Sequence, residues 1–311
     1  MTETFTLAHL SDLHLGPIEG FHPRYWNAKR GLGYLNWHRG RRGHHLRSVA
    51  DAIATDAVAQ KPDHFAVTGD LVNLGLPSEY DVALAWLAGL GTAETVSVVP
   101  GNHDIYTGRL HGASCLTRWA PYMTTRVAGA PNDGEATFPF VREVGPIALI
   151  GLNSAVPTPV FIASGRLGAA QIAALAEHLD RLGSRGLVRV VLIHHPPLPG
   201  QAPPRRRLED AAELQDVLDR FGAELVLHGH NHIETLAWRR RTLGSVPVIG
   251  VASGSAGRAH SHEPLARYNL LRVTRSAGRL SITCTVRGLA AAGGEIVELS
   301  RRELQHEAIA S

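Results

Sequence analysis

Five short apolar runs in this chain each stop on residues that can bind a metal ion. They read LAHLSDLH, HFAVTGD, VSVVPGNHD, VRVVLIHH and ELVLHGHNH. Runs of four to eight residues rich in Val, Ile and Leu, bounded by turn residues, have the signature of buried strands. Segments with helical spacing lie between them, at about 45–59, 78–90, 168–183 and 208–221. After residue 230 the helical pattern ends, and WRRRTLG, VPVIGVAS, YNLLRVTR and SITCTVR read as consecutive strands. Alternating strands and helices followed by a run of strands predict an α/β chain, with a large mixed sheet system and helices on its outer faces. PPLPGQAPPRRR (196–207) reads as a long loop between core strands. We expect a single domain over 1–311, with an insertion at about 17–45 and a β-rich C-terminal part at about 233–300.

In such folds ligands gather at the carboxyl ends of the strands. Seven candidate metal ligands fall there: Asp12, His14, Asp70, Asn102, His194, His230 and His232. Any one of these motifs is weak, since Gly69-Asp70 could be a turn and His194 a core histidine, but five in series are hard to assign to chance. The spacing of two in Asp12-x-His14 and in His230-x-His232 would place each pair on one face of an extended chain. Imidazole with carboxylate and amide oxygens suits zinc, manganese, iron or cobalt, and Cys115 and Cys284 form no thiolate motif. Seven donors exceed the needs of one ion and suit two ions that share a carboxylate, the clamp used for displacement at phosphorus.

The series D-x-H, G-D, G-N-H-D, H-x-P and G-H-x-H resembles the calcineurin-like metallophosphoesterase superfamily. Its HHPP and GHNH forms are similar to the class III cyclic-nucleotide and glycerophosphodiester phosphodiesterase branch. The resemblance implies two mixed β-sheets packed face to face and flanked by helices, a four-layer sandwich. It also implies two divalent metal ions, of manganese, iron or zinc. One would be held by Asp12, His14, Asp70 and His232, the other by Asp70, Asn102, His194 and His230. It implies that a hydroxide bridging the ions attacks a phosphate ester or pyrophosphate, that His103 acts as general acid, and that Asp104 orients its imidazole. His195 and His228, each out of step with the ligands, are expected to pack or support.

The remaining histidines His9, His64, His111 and His178 have no partners in sequence and are expected away from the site. His260 and His262 sit in a loop that could return toward it. The net charge is only +3, but residues 17–47 hold Arg24, Lys29, Arg30, Arg39, Arg41, Arg42 and Arg47 against Glu19 alone. Glycines 31, 33, 40 and 43 argue against a long helix there, and His22, His38, His44 and His45 lack strand-end placement, so none is read as a ligand. The segment is either a surface loop anchored by its aromatics or a cap over the site. As a cap, it would offer Tyr25, Trp26, Leu32, Tyr34, Leu35 and Trp37 as stacking surface and its arginines to phosphate or anionic headgroups. That combination would suit a lipid-linked nucleotide pyrophosphate of the UDP-diacylglucosamine type, with residues 24–43 in peripheral contact with an anionic membrane. No nucleic-acid partner is expected. The start shows no signal-peptide pattern and no window of about 18 apolar residues occurs, so a cytoplasmic enzyme is expected. A non-catalytic scaffold of the same fold is the remaining alternative, but such scaffolds lose ligands and here none is missing.

Overall fold

Apolar residues on alternate positions decide which way each strand faces, and in this chain they face two ways at once. In the computed structural model, residues 3–107, 114–126, 136–240, 245–276 and 279–305 are described. The first half runs β1 (Glu3–Leu10), α1 (Ala28–Asn36), α2 (Arg42–His44), α3 (Arg47–Ala59), β2 (His64–Val67), α4 (Pro77–Leu90), β3 (Val96–Val98) and α5 (Cys115–Arg118). It continues through β4 (Phe140–Val144), β5 (Ile147–Gly151), α6 (Ala169–Ser184), β6 (Val188–Leu192), α7 (Ala211–Phe221) and β7 (Leu225–His228). The chain then runs β8 (Thr235–Arg240), β9 (Ser245–Gly250), β10 (Arg267–Ser276), β11 (Arg279–Leu289) and β12 (Ile296–Gln305).

These strands build two six-stranded mixed sheets, in the orders β12-β11-β10-β1-β2-β3 and β4-β5-β6-β7-β9-β8. In the first, β1, β2 and β3 are parallel, joined by α3 and α4, and β10 to β12 add an antiparallel meander. In the second, β5, β6, β7 and β9 are parallel, with β4 and β8 antiparallel at the edges. Val190 and Leu192 of β6 join Phe5 and Leu7 of β1 in one core between the sheets. Val191 and Ile193 face the other way, onto Leu175, Leu179, Leu214 and Leu218 of α6 and α7. Ile53, Ala57, Ala83 and Leu87 of α3 and α4 cover the first sheet. The order is helix, sheet, sheet, helix, as expected for the α/β sandwich.

Two strands escaped the periodicity: β4, half-buried beside β5, and the polar edge strand β12, whose partner β11 supplies the pattern. The 17–45 segment is more helical than its glycines suggest. Ala28–Asn36 is α-helical, Trp37–Arg41 makes a π turn, and Arg42–His44 completes the run. Tertiary contacts outweigh the low propensity. Asn27 Oδ1 caps the start by accepting the Arg30 N–H at 2.9 Å. The buried Arg30 guanidinium donates to the carbonyls of Leu74 and Gly75 at 3.1 and 3.2 Å. Ile18, Tyr25, Trp37, Leu74, Leu76 and Tyr106 form a small core beneath the helices. Tyr25 and Trp37 are therefore largely buried, whereas Trp26, Leu32 and Leu35 are exposed.

Candidate metal centre

Every candidate ligand lies past the end of its strand: β1 stops at Leu10, β6 at Leu192 and β7 at His228. The pleat therefore does not pair Asp12 with His14, nor His230 with His232, as two-residue spacing suggested. Left-handed backbone does so instead, with φ of 54° at Asp12, 42° at His14, 55° at Asp70, 71° at His230 and 56° at His232. Each such residue costs roughly 1–3 kcal/mol unless its surroundings hold it, and clusters of them mark functional sites. Hydrogen bonds between loops do the holding. Asp12 Oδ2 accepts the His230 N–H at 2.9 Å, and Asp70 Oδ1 accepts that of His103 at 2.7 Å. The glycines of the G-N and G-H motifs permit this closeness: a Cβ on Gly101 would collide with Asp70 Oδ1, and one on Gly229 with Ser11 and Asp12.

The ring nitrogens show what the centre is suited to hold. A carbonyl only accepts, so a nitrogen facing one carries the hydrogen. His14 Nδ1 faces Val72 O at 3.2 Å and His194 Nδ1 faces Thr68 O at 2.7 Å, while His232 Nδ1 faces Glu263 Oε2 at 3.1 Å. Their Nε2 atoms are left as lone pairs, and these point at other acceptors. His14 Nε2 and His232 Nε2 are 3.2 Å apart, with Asp12 Oδ1 3.3 Å from the latter and Asp70 Oδ2 3.8 Å from the former. His194 Nε2 lies 3.2 Å from Asn102 Oδ1, 3.2 Å from His230 Nδ1 and 3.5 Å from Asp70 Oδ2. Asp12 Oδ1 is buried without a hydrogen-bond donor. Acceptors aimed at acceptors repel unless positive charge sits between them. Burial opposes charge on His194 and His232, yet Asp70 and Asp12 carry the two up to about 9. Protons or metal cations must balance this cluster, and metal binding competes for the same lone pairs. All seven expected residues are brought together, around two foci with Asp70 reaching both.

Asp104 does not orient His103. Its carboxylate accepts the backbone N–H groups of Asp70, Leu71, Val72 and Gly101 at 2.8–3.2 Å, and so shapes the loop after β2. Burial, reinforced by the charge on Asp70, raises this carboxyl to about 7. The His103 ring is fixed instead by its Nδ1–H on Asn73 O at 2.5 Å, which leaves Nε2 to accept from Arg41 Nη1 at 3.0 Å. Burial, and then the neighbouring Arg41, lower His103 to about 4.

Three site residues are not picked out as such by the sequence: His45 lacks strand-end placement, Glu263 carries no signal, and Arg41 stands only among the arginines of the cap. His45 packs on His14 with ring centroids 4.6 Å apart and brings a nitrogen within 4.8 Å of those of His14 and His232. It arrives because the end of the cap bridges Ala256 after β9. Glu263 holds His232 and also lies 3.2 Å from His44 Nε2. It is this residue, and neither His260 nor His262, that the 257–266 loop delivers, since both histidines are exposed. Arg41 is the third. His195 turns away to Ser154 Oγ and Ala163 O, and His228 to Gly229 O. His9 and His64 bond Thr68 and Ser97, His178 lies on α6 beside Arg181, and His111 lies outside the described residues.

A cavity of about 350 Å³ opens above the cluster, with Asp70, Asn102, His103, His230 and His232 among its lining and the cap on its rim. The two-sheet sandwich with a histidine and carboxylate cluster between its strand ends is the architecture of metal-dependent phosphoester hydrolases. The chain belongs to the calcineurin-like phosphoesterase family, whose model matches residues 5–234. It is 26% identical over 248 residues to a glycerophosphodiester phosphodiesterase, GpdQ, of Enterobacter lignolyticus, covering 78% of this chain and 76% of that protein. It is 32% identical over 201 residues to a cAMP/cGMP dual specificity phosphodiesterase of Mycobacterium tuberculosis, covering 63% of this chain and 55% of that protein. A dimetal phosphatase from Danio rerio superposes with a TM-score of 0.57 at 16% identity, over 95% of this chain and 98% of that one, and shows the shared fold.

Proposed function

We propose that this protein is a phosphodiesterase with two divalent ions, one at Asp12, His14, Asp70 and His232, the other at Asp70, Asn102, His194 and His230. The observation that carries this is the convergence of lone pairs at two foci about one carboxylate. When bound, such ions supply hydroxide near neutral pH and offset the charge of the phosphoryl oxygens. The protein's own groups do the rest. Asp104 and Gly101 hold the Asp70 loop in place, and Asn73 O fixes the His103 ring. His103 assists the leaving oxygen through Nε2, which must take a proton before it can give one. Manganese, iron or zinc suits the donors, and both cysteines are buried and free. Residues 1–311 act as one unit in this reading, with 17–45 as a cap. The experiment is to load the protein with each metal and assay bis-p-nitrophenyl phosphate, p-nitrophenyl phosphate and 3′,5′-cyclic AMP. We expect turnover of the diester, and His103→Ala should keep its metal while slowing the release of poor leaving groups. Silence on all substrates with every metal would sink the reading.

A second reading places the enzyme in the cytoplasm at an anionic membrane surface, on a lipid-linked substrate of the UDP-diacylglucosamine type. Among the described residues no helix is long and apolar enough to cross a membrane. The supporting observation is the exposed group Trp26, Leu32 and Leu35, with Phe161 73% exposed at the cavity mouth. Co-sedimentation with anionic vesicles that survives Trp26→Ser plus Leu35→Ser would discard it.

A further inference from the structure

The proposed chemistry takes place on the floor of the cavity, and three cations on its walls are left over. Lys29 and Arg41 come from the cap and Arg206 from the loop before α7. Among the described residues none of the three has a carboxylate within ion-pair distance, although Arg189, Arg239, Arg267 and Arg287 elsewhere all do. Arg41 makes one side-chain hydrogen bond, to His103, from a group with five N–H donors. Arg206 gives one to His230 O at 2.7 Å. Lys29 donates to Thr158 O and Oγ1 at 2.9 and 2.8 Å and lies 4.6 Å above the Tyr106 ring. Burial lowers this ammonium to about 8, against the pull of Asp70. Half-buried cations are commonly paired, yet the carboxylates of this cavity, Asp70 and Glu263, are taken by His194, His232 and His44, so three like charges face one another with their outer N–H groups open to an anion.

We propose that Lys29, Arg41 and Arg206 form an anion subsite beside the metal centre, and that the substrate carries a second phosphoryl group next to the scissile one. A simple diester has a single negative charge, which the floor of the site already answers. A diphosphate-linked diester has a second, and guanidinium forks match its oxygens in pairs. Water adding across the P–O–P bridge would then give two monophosphates, with no other reactant. This inference rests on the phosphodiesterase reading above.

The test compares UDP-glucose with the methyl ester of uridine monophosphate, a monoanionic diester of the same nucleoside, and with bis-p-nitrophenyl phosphate. Wild type, Lys29→Gln, Arg41→Gln and Arg206→Gln are assayed with metal loaded, and UDP-glucose binding to metal-free protein is followed by calorimetry. We expect kcat/KM for UDP-glucose to exceed that for the methyl ester at least tenfold. Each variant should lower it at least tenfold more than it lowers kcat/KM for bis-p-nitrophenyl phosphate, and should weaken UDP-glucose binding about tenfold. An enzyme that cleaves bis-p-nitrophenyl phosphate but treats the uridine esters alike overturns the subsite alone, as do variants that depress all substrates equally. Silence on every substrate overturns the reading beneath it. Unchanged thermal unfolding of Lys29→Gln guards against misfolding as the cause of any loss.

Discussion

At the scale of single residues, Asp70 matters most because both sets of donors meet on its carboxylate. Asp70→Asn removes the charge while keeping the shape. We expect bound metal, measured by elemental mass spectrometry, to fall from about two ions per chain to one or fewer, with activity down about 10³-fold. Two ions retained at full occupancy would contradict the shared carboxylate. Glu263 acts one step out, by holding the His232 Nδ1–H at 3.1 Å. Glu263→Gln should weaken metal binding about 10- to 100-fold, as removal of such partners does, and a competition titration with a chelator reads this directly. The ligand residue types were legible in the sequence because each follows an apolar run. Their left-handed backbone was not, since the raised tendency of Asp and His toward positive φ is too slight to mark any one position. Asp104 shows the same limit: its neighbour His103 suggested a partnership, whereas its oxygens went to four backbone amides.

At the scale of elements, the cap built from α1, the π turn and α2 is a local structure on a small core of its own. Trp37, 8% exposed, fills that core. Trp37→Ala should cost about 3–5 kcal/mol at that position, enough to open the cap locally while the two sheets stay folded. Limited proteolysis is then expected to cut within 24–43 well before the body, and kcat/KM to fall. First cuts elsewhere would show that the cap is not a separate unit. The core helices α3, α4, α6 and α7 were readable because each presents one apolar stripe to a sheet. The cap was not, because its glycines lower helix propensity and only the loops 74–76 and 158–163 reveal what holds it.

At the scale of the molecule, the first sheet and its outer helix α3 are tied by half-buried polar links as well as by apolar packing. Asp56 of α3 accepts from Tyr268 of β10 at 2.6 Å and from both faces of the Arg287 fork of β11 at 2.8 Å. Burial works to raise this carboxyl, but the bonds from Arg287 and Tyr268 prevail and hold it below its ordinary 3.8. A depressed folded-state pKa contributes stability above 3.8 that is lost as pH falls through and below that value. Asp56→Asn should therefore lower Tm at pH 7 and flatten the loss of stability between about pH 5 and 3, as thermal melts across that range would show. A parallel offset with the slope unchanged would count against the link.

What the chain determined by itself was local and periodic. The apolar runs specified buried strands, their alternation with helices specified an α/β sheet system, and the polar residues closing each run put seven candidate metal donors at one end of two sheets. Those features follow from neighbours within a few residues, so they can be read in one dimension. The partners of those donors come from far along the chain. Glu263 reaches His232, His45 reaches His14, and Arg41 reaches His103, because the bridge from His45 to Ala256 folds the cap back over the strand ends. Only the tertiary structure could decide them, since they depend on which loops the packing of two sheets brings within a few ångströms.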